Sequence, residues 1–82
     1  MIRIAIDLNV RVEGGHTVAG FARVEGDPSV LAVRDEVTVF ERETGVEGSG
    51  RIVKVDTVRQ LVFIDVEWKT LGVPSEAMSA RL

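Results

Sequence analysis

The 82 residues include no cysteine and no tyrosine, one histidine, two prolines, and only four aromatic side chains, three Phe and one Trp. Without cysteine there are no disulfides, thiolate nucleophiles or cysteine zinc sites. A small chain without such staples is held by packing, which fits a cytoplasmic setting. No stretch approaches the roughly 20 apolar residues of a membrane helix. The opening MIRIAIDLNV breaks its apolar residues with Arg3 and Asp7, unlike the continuous apolar run of a signal peptide. No membrane association is expected. There is also no basic run: 10 Lys and Arg are interspersed with 13 Asp and Glu, for a net charge of −3 and a pI near 5.0. That balance disfavours nucleic-acid binding driven by phosphate neutralisation.

What is present is a globular composition, 45% hydrophobic and 28% charged, and the length suits one domain over residues 1–82. Valine dominates the apolar set, and β-branched side chains fit pleated, half-buried surfaces. The strongest pattern runs over residues 37–68 as strand, glycine-bearing loop, strand, tight turn, strand. Alternation places Val37, Val39, Val53, Val55, Val62, Ile64, Val66 and Trp68 on one face, the expected core. Thr38, Phe40, Ile52, Lys54, Phe63 and Asp65 fall on the other.

Upstream, Ile2, Ile4, Ile6 and Leu8 share one face of a predicted strand, and Val10 and Val12 continue the pattern past Asn9. Glu13-Gly14-Gly15-His16 reads as a turn, followed by a strand over residues 17–24 with a bend or bulge at Gly20. Residues 25–29 contain Gly26, Asp27 and Pro28 and break the chain before a short extended piece at 30–33. After Pro74, Ser75 is placed to cap a short helix through Ala77 and Met78 to Ala80, a tail that either docks or frays.

Asp35-Glu36-Val37-Thr38-Val39, the glycines Gly45, Gly48 and Gly50, and the strand Ile52-Val53-Lys54-Val55-Asp56 followed by residues 62–68 resemble the SH3-like small β-barrels, in particular the KOW and Tudor-like members. The resemblance covers about the second half of the chain. It implies an all-β fold, a small barrel of about five or six antiparallel strands, with Gly50 in the place of the structural glycine of the KOW pattern. KOW modules that bind RNA tend to be basic, whereas this chain is acidic. Tudor-like readers use an aromatic cage, and no such set is found here. No ligand-binding residue of either family maps onto this sequence.

Catalytic patterns are weak. His16 stands alone in a turn, and no nucleophile-elbow motif surrounds Ser29, Ser49, Ser75 or Ser79. Asp65 and Glu67, with Asp56 across from them, read as solubilising charges on an outward strand face. The GVEGSG loop lacks the Lys-Ser/Thr ending of a phosphate loop and precedes a strand. No enzymatic activity, cofactor or metal is expected. Phe40, Ile52 and Phe63, apolar yet opposite the core face, are the candidate partner contacts. They are expected either to lie beneath the N-terminal strand or tail, or to form an exposed patch that meets a protein partner or a second copy of the chain. Arg51, Lys54, Arg59 and Lys69 are the candidates for the alternative, a KOW-like RNA-binding surface, against which stands cross-strand pairing with Glu41, Asp56, Asp65 and Glu67. The expected function is a non-enzymatic protein-interaction or assembly module.

Overall fold

The computed structural model describes residues 2–7, 9–10 and 15–72. Among the described residues six strands form one sheet: β1 Arg3–Ala5, β2 Thr17–Gly20, β3 Val24–Glu25, β4 Glu36–Phe40, β5 Glu47–Asp56 and β6 Leu61–Val66. Their spatial order is β2-β6-β5-β4-β1-β3. The class is all-β, as the composition implies.

The order itself forces the sheet to curl. β2 and β3 lie at opposite edges, yet only the 3-10 turn Phe21–Arg23 joins them. Six strands laid flat would hold those edges about 24 Å apart, at about 4.8 Å per spacing. The links from Gly20 to Val24 reach about 14 Å at most. The sheet is therefore rolled into a half-barrel, and Gly20 marks the bend, where Phe21 N–H donates to the Gln60 carbonyl at 2.9 Å. This curl is compatible with an SH3-like fold.

The meander β4-β5-β6 pairs antiparallel throughout. β1 enters between β4 and β3, parallel to β4 with Ile4 beside Val39 and antiparallel to β3 with Ile4 beside Val24. A strand with neighbours on both sides and cover on both faces reads as a continuous apolar run. Ile4, Ala5 and Ile6 are accordingly all buried. The inward faces supply one core of Ile4, Ile6, Ala19, Val24, Leu31, Val37, Val39, Ile52, Val62, Ile64 and Val66, with Ile2, Val55, Trp68 and Leu71 packed against it. Thr17 is fully buried among them, and its hydroxyl donates to the Val10 carbonyl at 2.7 Å.

Gly50 shows why glycine recurs on the inward side of β5. A Cβ there would meet Ile64 Cγ2 at 2.7 Å and Val39 Cγ1 at 3.2 Å. Its missing side chain is the space into which two core residues pack, so the structural role expected of Gly50 holds. The glycine-rich stretch is more strand than loop, since β5 begins at Glu47. The remaining turn closes through Glu41 N–H to Val46 O at 2.8 Å and Gly45 N–H to Glu41 O at 3.0 Å, with Gly45 at φ 74°.

One core expectation fails for a definable reason. The register of β5 against β6 shifts between Ile52 and Lys54, so Val53 is the extra residue of a bulge. Ile52 opposite Ile64 turns inward and is 1% exposed, while Val53 is only half-buried. The other side of Ile52 is clamped as well. Arg34 N–H donates to Ile52 O at 2.7 Å and Ile52 N–H to Asp35 O at 2.9 Å. Arg34 has φ 81° in a turn closed by Asp35 N–H to Ala32 O. Two residues facing one, the first in the left-handed region, is the geometry of a bulge that usually carries glycine. Trp68 also departs from expectation. β6 ends at Val66, and Trp68 opens the 3-10 turn Trp68–Thr70, half-buried at the core's margin, with its indole N–H donating to Gly15 O at 3.3 Å. Val12, Glu13 and Gly14, and the tail helix expected over residues 75–80, lie outside the described residues.

Candidate partner-binding face

Alternation and register together lay out the outer surface row by row. On β4, β1 and β3 it is charged and mutually satisfied. Arg3 is the hub: its Nε donates to Glu25 Oε1 and its Nη1 to Glu47 Oε2, each at 3.2 Å, and its guanidinium sits 4.5 Å from the centre of the Phe40 ring. Arg42 approaches the same ring at 5.8 Å. Phe40 does point outward, beside Ala5 of β1 in register, but it is covered and only 7% exposed. The N-terminal strand shields it, one of the two outcomes anticipated for these apolar residues.

The other half of the outer surface, on β2, β6 and β5, is different. Val18, Phe63 and Lys54 are consecutive cross-strand neighbours. Leu61 lies one outward position along β6 and Gly20 beside it on β2. Val18, Leu61 and Phe63 are half-buried, and the Lys54 ammonium stands 5.4 Å from the centre of the Phe63 ring. Such a cation–π contact at an exposed site contributes about 0.5–1 kcal/mol.

Of the three expected apolar contacts, only Phe63 therefore presents a partly open ring to the outside. Ile52 belongs to the core because of the bulge, and Phe40 is capped by Arg3. The three do not form one patch. Val18 and Leu61 join Phe63 instead. The alternation of β2 puts Val18 opposite Thr17 and Ala19, but which strand it lies beside is a matter of long-range register that the sequence does not carry.

Following β6 outward, Leu61, Phe63 and Asp65 succeed one another on the same side, and Glu67 follows beyond the strand. There a groove of about 270 Å³ opens, lined by Glu36, Ser49, Arg51, Asp65, Glu67 and Thr70. Arg51 is opposite Asp65 in register but donates through Nη2 to Glu36 Oε1 at 3.2 Å and through Nη1 to Arg34 O at 3.5 Å. Asp65 and Glu67 are exposed and, among the described residues, have no ion-pair partner. Three carboxylates and one guanidinium leave this groove with an excess of two negative charges. A larger cleft of about 430 Å³ lies elsewhere, against Asp7, Asn9, Arg23, Glu41, Arg42 and Glu43. Its charges are mixed, Glu41 is engaged by the Thr44 hydroxyl at 2.9 Å, and the apolar residues at its floor, Ala5 and Ile6, are buried. Among the described residues it offers no apolar anchor.

The four basic candidates are not brought together. Arg51 is paired with Glu36, Lys54 covers Phe63, and Arg59 lies 3.9 Å from Asp56 at the β5–β6 turn. Lys69 sits in the turn after β6, at the far end of that strand from Arg59, about 20 Å away at the rise of a strand. His16 is half-buried beside Gly15. Among the described residues no group of three or more His, Asp or Glu is arranged to hold a metal ion, and no helix is long and apolar enough to cross a membrane.

Comparison with protein-family models, with curated proteins and with solved structures finds no match to this chain.

Proposed function

We propose that this chain is a non-enzymatic protein-interaction module of the cytoplasm, and that it meets its partner through the outer face of β2 and β6 around Phe63. One observation carries the reading. On β1, β3 and β4 the outer face of the sheet is closed by ion pairs and by Arg3 over Phe40, whereas on β2 and β6 Val18, Leu61 and Phe63 form an apolar row left half open beside an unneutralised groove. The more exposed Val10, Val30, Val33 and Val58 lie outside the strands. Apolar anchors rimmed by polar groups are what recognition surfaces are made of. The KOW-like alternative, RNA binding through Arg51, Lys54, Arg59 and Lys69, has less behind it. Three of those four are engaged with carboxylates or an aromatic ring, and the chain's net charge of −3 opposes phosphate.

The test is a comparison of Phe63→Ser with wild type in affinity capture and mass measurement, after circular dichroism has shown that both are folded. The reading expects a protein recovered by wild type and lost with Phe63→Ser, but retained by Arg42→Ala at the opposite cleft. Recovery of the same proteins by wild type and Phe63→Ser rejects this face. Salt-sensitive retention of RNA that Arg51→Ala abolishes transfers the function to the alternative.

A further inference from the structure

Resting on the reading of the Phe63 row as a partner-binding face, we infer that its partner is an extended peptide segment that presents, at every second residue, two apolar side chains followed by two basic ones. The face changes character along one strand. Leu61 and Phe63 are apolar, and Asp65 and Glu67, on the same side two and four residues further on, are carboxylates with no cation paired to them among the described residues. Same-side positions of a strand repeat at about 6.6 Å. An extended peptide repeats at the same distance, so an apolar side chain seated on Phe63 and Val18 puts its neighbour on that side over Asp65.

Charge selects this occupant over the others. Among the described residues the groove beyond Phe63 holds Glu36, Asp65 and Glu67 against Arg51 alone, and Arg51 already serves Glu36 and the Arg34 carbonyl. A Lys or Arg from a partner neutralises Asp65 and Glu67 directly, while the Ser49 and Thr70 hydroxyls stand at the same groove. A second copy of this chain brings a further −3 to an already acidic face. A nucleic acid or an anionic lipid surface meets the same repulsion. Complementary charge in an exposed groove acts mainly on selectivity and on the rate of encounter, so the Phe63 row supplies the anchor and the carboxylates choose the partner.

The experiment is a fluorescence anisotropy titration of the full chain with two labelled peptides of about seven residues, one with Val at the first and third and Lys at the fifth and seventh positions and Ser between them, and one with Glu in place of each Lys. The lengths match the span of the face at about 3.3 Å per residue. The Lys peptide is expected to bind, to bind more weakly as salt is raised, and to lose about tenfold in affinity with the double change Asp65→Asn and Glu67→Gln, two exposed contacts of about 0.7 kcal/mol each. The two changes are at exposed positions and leave the core intact. Equal binding of both peptides, lost in Phe63→Ser, keeps the face and overturns the cationic partner. Binding of the Lys peptide that ignores Phe63→Ser as well as the carboxylate changes overturns the inference, as does binding of neither peptide. A doubling of mass of the free chain that Phe63→Ser abolishes assigns the face to a second copy and overturns it too. Contacts between this face and residues 73–82 in the free chain, seen as nuclear Overhauser effects, overturn it in favour of the chain's own tail.

Discussion

Replacing Ile52 by alanine isolates the consequence of the bulge. Alternation alone puts Ile52 beside Lys54 on the outside, where truncation would cost little. The structure instead puts it at 1% exposure between the Ile64 pairing of β6 and the Arg34–Asp35 turn, in contact with the core. Truncating a buried isoleucine removes its transfer free energy and leaves a cavity, about 2–5 kcal/mol together. A domain of this length holds about 4–12 kcal/mol in all, so the loss is a large part of the total. At about 4–8 °C per kcal/mol for a domain of this size, a loss of about 3 kcal/mol lowers Tm by about 12–24 °C. Phe63→Ala is the control. That ring is half open to water, leaves no enclosed cavity, and forfeits about 1–2 kcal/mol of burial. Thermal unfolding followed by circular dichroism, with urea titration to obtain the free energies, compares the two. If Phe63→Ala is as damaging as Ile52→Ala or more so, Ile52 is not in the core, the bulge is misplaced, and the assignment of inner and outer faces on β5 falls with it.

Gly50→Ala places a methyl group within 2.7 Å of Ile64 Cγ2 and is expected to cost about 1–3 kcal/mol by overpacking, read as a lower urea midpoint with unchanged slope. Arg34→Gly relieves a left-handed residue at φ 81°; an unfavourable conformation of about 1–2 kcal/mol is exchanged for the greater chain entropy of glycine, and a net gain of about 0.5–1 kcal/mol should appear as a higher Tm. A fall would show that the Arg34 side chain holds more than its backbone costs. Asp27 accepts from Ser29 N–H at 2.9 Å and from Ser29 Oγ at 2.7 Å at the start of the turn Pro28–Val30. The backbone hydrogen bond first, then the hydroxyl, hold its carboxyl below the usual 3.8. The folded value is the depressed one, so this contribution is complete above pH 3.8 and is lost as pH falls through the lower folded value. Asp27→Asn should remove that part of the acid dependence, and an Asp27 titration by NMR at or above 3.8 would contradict it.

The meander was legible because strict alternation and glycine punctuation coincide over residues 37–68. On β6 the pattern is unbroken, so Val62, Ile64 and Val66 turn inward and Phe63 outward as the spacing implies. On β5 the same rule fails at one residue. The shift between Ile52 and Lys54 reverses Ile52 and sets Val53 aside. Its partner turn carries Arg34 at the left-handed position, where a glycine would have announced a bulge and an arginine does not. The orientation of Phe40 was readable, and cover by the N-terminal strand was one of the two outcomes it allowed, but the choice between them was not, because Arg3 reaches it only through a parallel pairing of β1 with β4. Val18 was missed as a neighbour of Phe63 for the same reason. Pairing between strands more than 40 residues apart is fixed by the whole core and leaves no local trace.

The claim that this barrel meets its partner on the outer face of β6 is tested most directly by mapping the backbone amide resonances of isotope-labelled chain as the peptide with two Val followed by two Lys on one face is added. Shifts concentrated at Val18, Leu61, Phe63, Asp65 and Glu67, with Phe40 and the Arg23–Arg42 cleft unmoved, are the expected result. Shifts centred on that cleft, or no perturbation of the Phe63 row at saturating peptide, would contradict it.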